Sequence, residues 1–182
     1  PQGCAHRVAA TFMRAMAPAR PGSWSRDLRG LPLPSFRTVR RVSFTPEQMF
    51  DVVADVERYP EFLPLCEGLT VLERSASGDE LTATMTVGYK SITERFTTHV
   101  TLDRAASLIR VRHLDGPFSH LQNEWRFTPA DGGADVHFSI DYAFRSAMLS
   151  LIVGAAFDKA VRSYTDAFEG RARKLYGSPA SA

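Results

Sequence analysis

Four polar residues interrupt stretches of this sequence that are otherwise apolar on one face: Glu94, Thr98, His113 and Asn123. Glu94 and Thr98 share the register of Ile92, Phe96 and Val100; His113 continues that of Ile109 and Val111; Asn123 lies between Leu121 and Trp125. A few polar groups converging on an apolar wall are suited to recognising a small molecule. An amide or imidazole can donate to a ligand carbonyl, and the rest of the ligand needs only hydrocarbon. Each residue also has a structural reading. Glu94 is near a turn and can be solvated, because charged side chains are almost never buried unpaired. Asn123 can be a buried structural amide satisfied by the protein, and His113 suits a structural place better than a ligand contact.

Other chemistries lack their parts. No Ser-His-Asp order stands out and no GxxxxGK loop exists. His6, His99, His113, His120 and His137 have no metal-like spacing, and His99 and His137 fall on polar strand faces. Cys4 and Cys66 form no CxxC pair, which suggests neither zinc nor a redox couple and fits a reducing compartment. This near-absence of machinery points to binding with no cofactor and no metal.

The elements that must position these groups follow from periodicity. Ser35 to Phe44 reads as a first strand. Thr45-Pro46-Glu47-Gln48 is a helix start, with Thr as cap, Pro at the first position and Gln three residues after the cap. Met49, Phe50, Val53, Val56 and Tyr59 follow at helical spacing until Pro60, and Glu61 to Cys66 reads as a second short helix or turn. Apolar and polar residues then alternate through Leu81–Tyr89, Ile92–Leu102, Ile109–Arg112, Leu121–Thr128 and Asp135–Phe144. Turns are expected at Ser77-Gly78-Asp79, Gly88, Asp115-Gly116-Pro117 and Asp131-Gly132-Gly133. With residues 69–75 the count is seven strands.

A single helix is predicted from about Ser146 to Tyr176, roughly 45 Å long at 1.5 Å per residue. Its apolar stripe runs Leu149, Val153, Phe157, Val161, Tyr164, Phe168, Ala172 and Leu175. An antiparallel meander with one apolar face needs a cover, and this helix is the only element long enough. The expected fold is α+β: a curved antiparallel sheet of about seven strands around a long C-terminal helix, with two short helices after the first strand. Gly154, Ala155 and Ala156 thin one side of the helix, which favours a cavity beneath it. Of the aromatics Phe62, Phe96, Phe118, Trp125, Phe127, Tyr142, Phe144 and Phe157, about half are expected to be plain core. The predicted ligand-binding set is Phe62, Leu65, Met85, Glu94, Phe96, Phe118, Asn123, Trp125, Tyr142 and Phe157.

Length and charge bound the rest. The 182 residues suit one domain: 1–34 as a leader, 35–177 as the ligand-binding domain and 178–182 as a tail. The net charge of +2 is uneven. Residues 1–34 carry five Arg and one Asp, whereas 35–182 carry 17 basic and 19 acidic residues. That mildly acidic body argues against DNA or RNA binding, which wants a basic face. The leader reads as a transit peptide, a basic membrane-surface arm or an overcalled start without a role. Its prolines spoil an amphipathic helix, which favours the last. The apolar run Ala147–Phe157 is too short to cross a bilayer.

The run Val52-Val53-Ala54-Asp55-Val56-Glu57-Arg58-Tyr59-Pro60-Glu61-Phe62-Leu63-Pro64-Leu65-Cys66 resembles the coenzyme Q-binding START-domain family. That family is also known as polyketide cyclase/dehydrase-like and, in bacteria, as ribosome-association toxin A. Val87-Gly88-Tyr89, Glu94-Arg95-Phe96-Thr97-Thr98, Asp115-Gly116-Pro117-Phe118, Leu121 to Phe127 and Phe157-Asp158-Lys159-Ala160 extend the similarity over residues 35–177. The resemblance implies a helix-grip, START-like fold, ubiquinone or a similar prenyl lipid as ligand, and a carrier or chaperone role supporting respiration. It implies a place in the cytoplasm, peripheral to the inner membrane, or alternatively at the matrix side of the mitochondrial inner membrane. Two rival roles come with it: a partner of the large ribosomal subunit, and a cyclase-like enzyme using Glu94 or His113 as general acid–base. Fold alone does not choose among these.

Overall fold

In the computed structural model, residues 33–177 are described. The expected leader 1–34 and tail 178–182 lie almost entirely outside them. Strand β1 (Ser35–Val42) leads to helix α1 (Pro46–Ala54), a short 3-10 helix (Val56–Glu61), and then six strands. These are β2 (Cys66–Arg74), β3 (Glu80–Tyr89), β4 (Ile92–Asp103), β5 (Leu108–Asp115), β6 (Phe118–Ala130) and β7 (Gly133–Phe144). Helices α2 (Ala147–Arg162) and α3 (Tyr164–Tyr176) close the order. All neighbours are antiparallel, in the order β1-β7-β6-β5-β4-β3-β2, so the first strand pairs with the last.

Helix α1 begins as its sequence predicts. The Gln48 amide donates to Thr45 Oγ1 at 3.2 Å and the Thr45 amide donates to Gln48 Oε1 at 2.9 Å, a reciprocal cap. Its end differs from expectation. The helix stops at Ala54, where Asp55 leaves helical geometry, and Pro60 falls inside the following 3-10 turn. Strand β2 starts at Cys66, three residues before the predicted 69. Gly88 lies within β3, not in a turn; its amide donates to the Leu65 carbonyl, and the chain reverses at Lys90 and Ser91.

The terminal helix is two helices. The Ser163 hydroxyl donates to the Ala160 carbonyl at 2.8 Å, and its amide to the same carbonyl at 3.0 Å. A side chain bonding back onto the turn before it, with a three-residue step, interrupts the regular ladder and breaks the helix without proline. The buried stripe runs Phe157, Ala160, Val161, Phe168 and Ala172, as the spacing predicts, but Leu175 is half exposed. Ala155 is exposed too, and Gly154 and Ala156 of the small triplet are half-buried.

The covering helices are fixed by aromatic and ionic contacts. Phe168, 1% exposed, meets Trp125 at 5.0 Å, Tyr59 at 5.2 Å and Phe62 at 5.3 Å between ring centroids. Trp125 stacks on Phe138 at 4.2 Å. Glu169 is buried and accepts from Arg40 Nε at 2.6 Å and from Arg173, while Arg40 also meets Asp166 at 2.5 Å. This cluster joins β1 to α3. Removing Arg40 leaves a buried carboxylate short of a partner, so Arg40→Met should cost about 3 kcal/mol. Arg40→Met with Glu169→Leu removes the uncompensated charge and should recover most of that loss. Denaturant unfolding of both variants checks the pair.

Candidate ligand-binding cavity

Between the concave face of the sheet and the helices lies a cavity of about 80 Å³. Each wall follows from strand alternation. Ala83 and Met85 come from β3, Phe96, Thr98 and Val100 from β4, Ile109 and Val111 from β5, and Leu121, Asn123 and Trp125 from β6. Phe157, Tyr164 and Phe168 close it from the helices, and Val53, Val56 and Tyr59 from the short-helix segment. No acidic or basic side chain lines it among the described residues.

Its polar groups are neutral hydrogen-bonding ones. The Tyr59 hydroxyl donates to the Val53 carbonyl at 2.5 Å, and burial pushes its phenol far above the ordinary tyrosine range. Burial does the same to Tyr164. Thr98 is buried. Asn123 Oδ1 is buried with no hydrogen-bond partner, as is Nε2 of His113 nearby. Nearly all buried polar atoms are paired in folded proteins, so these two are exceptions; Asn123 lines the cavity and His113 does not.

A second, smaller space of about 30 Å³ adjoins the first. Leu65, Val87, Tyr89, Ile92, Glu94, Phe118, Leu149 and Val153 surround it. Phe157 lines both spaces and so stands between them. Its ring packs on Tyr142 at 4.8 Å, Phe118 at 5.4 Å and Phe144 at 5.7 Å. The loop beside it is held tightly: Gly116 has φ +124°, and a Cβ there would come within 2.6 Å of Phe96 Cβ. Only glycine tolerates both that backbone and that approach.

The predicted set therefore divides. Met85, Phe96, Asn123, Trp125 and Phe157 share the larger cavity. Leu65, Glu94 and Phe118 border the smaller one with Phe157, so Glu94 does not join Asn123 although it shares the inward register. Phe62 and Tyr142 line neither space. Phe62 packs behind Phe168, with the Arg171 guanidinium 5.6 Å from its ring. Tyr142 backs Phe157 as a second layer. Phe127 meets Phe50 at 6.0 Å and is core. Tyr59 and Tyr164, absent from the predicted set, are cavity residues; their signal was helical spacing, which reads as core unless the adjoining void is seen. Among the described residues, no group of three His, Cys, Asp or Glu could hold a metal ion.

Residues 42–169 match the family described as polyketide cyclase/dehydrase and lipid transport. The chain belongs to this family. A ribosome association toxin RatA from Vibrio cholerae is 41% identical over 137 residues, covering 75% of this chain and 93% of that protein. A mitochondrial coenzyme Q-binding protein COQ10 homolog B from Xenopus laevis is 30% identical over 184 residues, covering 97% of this chain and 70% of that protein. A START superfamily protein from Mycobacterium smegmatis superposes with a TM-score of 0.67 at 20% identity, covering 78% of this chain and 98% of the other. The fold is accordingly the helix grip of START-like proteins, a curved seven-stranded antiparallel sheet with C-terminal helices across it.

Phe157 is the residue on which the two spaces turn. Phe157→Ala should merge them and cost about 3 kcal/mol, the low end for a buried Phe, because the ring already faces voids on two sides. Urea unfolding measures the loss, and uptake of an apolar fluorescent probe by the same variant should rise.

Proposed function

We propose that this protein is a carrier or chaperone for ubiquinone or a similar prenyl lipid, supporting respiratory electron transport. The observation that carries the reading is the cavity wall: hydrocarbon throughout, with Thr98, Asn123, Tyr59 and Tyr164 as neutral polar groups and no ionised side chain. Such a wall suits a neutral head and an isoprenoid tail. It does not suit a cyclase, whose general acid or base needs a pKa near the working pH; burial moves both tyrosines away from that range. At about 80 Å³ the larger space is smaller than the ~150 Å³ apolar cavity known to take benzene. A quinone ring therefore enters with displacement of Phe157, which joins the two spaces, and the tail leaves past Leu149 and Val153.

The site of exchange is a membrane surface. Met148, Leu151 and Ile152 point outward from α2 with 71%, 86% and 50% exposure, on a stretch without charge from Ala147 to Phe157. A helix turn that is apolar both toward its pocket and away from it suits an interfacial position, where Lys90 and Lys159 can meet anionic headgroups. The described residues hold no helix long and apolar enough to span a bilayer. The similarity to the mitochondrial relative runs over nearly the whole chain. That supports the matrix side of the inner membrane.

Organic extraction of the purified protein, followed by mass spectrometry, tests the proposal. A co-purified prenyl quinone is the expected result, and protein that carries no lipid and takes up none from quinone-loaded vesicles refutes it.

A second reading, a ribosome-associating protein, is favoured by the 41% identical relative. Against it stands the outer face of the sheet, where four arginines lie against acids and only Arg95 and Arg112, among the described residues of that face, are exposed without an ion pair. Arg37 pairs with Asp141, Arg41 with Asp135, and Arg110 and Arg126 with Glu124. RNA contact would want those cations free. Under this proposal the protein stays at the top of a sucrose gradient loaded with large ribosomal subunits; sedimentation with them would favour the second reading.

A further inference from the structure

We infer that the hydroxyl of Tyr164 is the donor that recognises the head group of the ligand, so that the site takes prenyl lipids whose ring carries oxygen and rejects their hydrocarbon analogues. The inference rests on the prenyl-lipid reading and adds the residue and the ligand feature on which recognition depends.

Two tyrosines line the larger cavity, and they are not equivalent. The Tyr59 hydroxyl is committed to the protein, donating to the Val53 carbonyl at 2.5 Å. The Tyr164 hydroxyl has no hydrogen-bond partner among the described residues, yet it is not sealed off as Asn123 Oδ1 and His113 Nε2 are. It therefore opens on a space. Burial holds its phenol well above the ordinary tyrosine range, which a hydroxyl on outer solvent would not show. The space is thus the cavity that its ring lines.

The helix places the residue there. Tyr164 is the first residue of α3, directly after the break at Ser163. Val161, three residues before it, and Phe168, four after it, are fully buried, so the same stripe carries all three toward the sheet. The Tyr164 ring lies 6.4 Å from that of Phe138 on β7, between centroids. Thr98 and Asn123 belong to the sheet wall of this cavity, and Tyr164 is the polar residue that α2 and α3 bring to it.

An enclosed hydroxyl without an acceptor forfeits a hydrogen bond that it would make in water. A ring oxygen on the ligand restores that bond. A quinone carbonyl, a quinol hydroxyl and a methoxy oxygen all accept, so the contact serves either redox state and asks only for oxygen. A prenyl hydrocarbon leaves the hydroxyl unpaired and expels any water that had bonded to it. A site that hydrogen-bonds its ligand discriminates in this way against the analogue that lacks the partner atom.

The test compares decylubiquinone with diphenylhexatriene, a hydrocarbon without oxygen, on the full chain and on Tyr164→Phe. Quenching of tryptophan fluorescence follows the first ligand, and the probe's own emission follows the second. Tyr164→Phe should weaken decylubiquinone binding about fivefold, the effect of one neutral hydrogen bond of about 1 kcal/mol, and bind diphenylhexatriene at least as tightly as the parent. Its urea midpoint should equal or exceed that of the parent, because no bond within the protein is lost. In the parent, the carbonyl stretch of bound decylubiquinone should lie below its frequency in hexane, and part of that shift should vanish in the variant. Unchanged decylubiquinone affinity, an equal loss for both ligands, a carbonyl stretch in the parent that matches hexane, or a variant that unfolds earlier or does not fold would each overturn the inference and leave the lipid reading standing. Failure of the parent to bind decylubiquinone would overturn the lipid reading and the inference with it.

Discussion

Phe168 is the contact on which the arrangement depends. It meets Trp125 on the sheet and Tyr59 and Phe62 on the short-helix segment, and it is almost fully enclosed. A seven-stranded sheet with one apolar face must be covered, and two short elements and one late helix have to agree on how. The three rings around Phe168 are where they agree. Once α3 is pinned there, the break at Ser163 lets α2 continue on its own course, and Phe157 comes down where the sheet is less filled. The cavity is thus what remains between a tightly packed end and a loosely packed one.

The two faces of the sheet solve different electrostatic problems. Outside, long cations lie beside carboxylates on neighbouring strands, and Arg41 holds the Asp135 carboxyl below its ordinary range by hydrogen bond and charge. Such exposed pairs add little stability. They neutralise Arg37, Arg41, Arg110 and Arg126 on the convex face, where, among the described residues, Arg95 and Arg112 are exposed without an ion pair. Inside, the only polar groups on the cavity wall are neutral, and Glu169 is the one buried acid of the described residues, held by Arg40 and Arg173 away from the cavity wall. The larger cavity is left to hydrogen bonds and hydrocarbon, and Glu94 is the one acid that borders the smaller space.

Most of the sheet was legible because alternation with period two leaves few choices: each of the seven strands and three of the four turns are where Gly, Asp and the apolar pattern put them. What alternation cannot show is where packing is dense. Phe62 and Tyr142 have the right types and the right faces, yet neighbouring rings stand between them and the void. Glu94 has the inward register but sits toward the strand end, at the smaller space. Gly88 reads as a turn, although here it lies within a strand where a Cβ would meet the Glu67 carboxylate. The helix break had no glycine or proline to announce it, because its cause is a serine hydroxyl competing for a carbonyl. The two orphaned atoms could not be anticipated either, since a partner's absence shows only when every neighbour is in place.

The pairing of β1 with β7 has a consequence for how the chain comes into being. The first strand of the domain waits for the last, and the helix that covers the sheet is made after both. During synthesis the meander β2 to β6 can assemble locally, but its concave face stays open to water until residues near Phe157 and Phe168 have left the ribosome. Contacts so distant in sequence are slow to form, and an uncovered apolar sheet with a free edge at β7 invites wrong partners. The fold therefore closes only once β7 and the covering helices are available, and the same surface that ends as the wall of the cavity is, until then, an open apolar face.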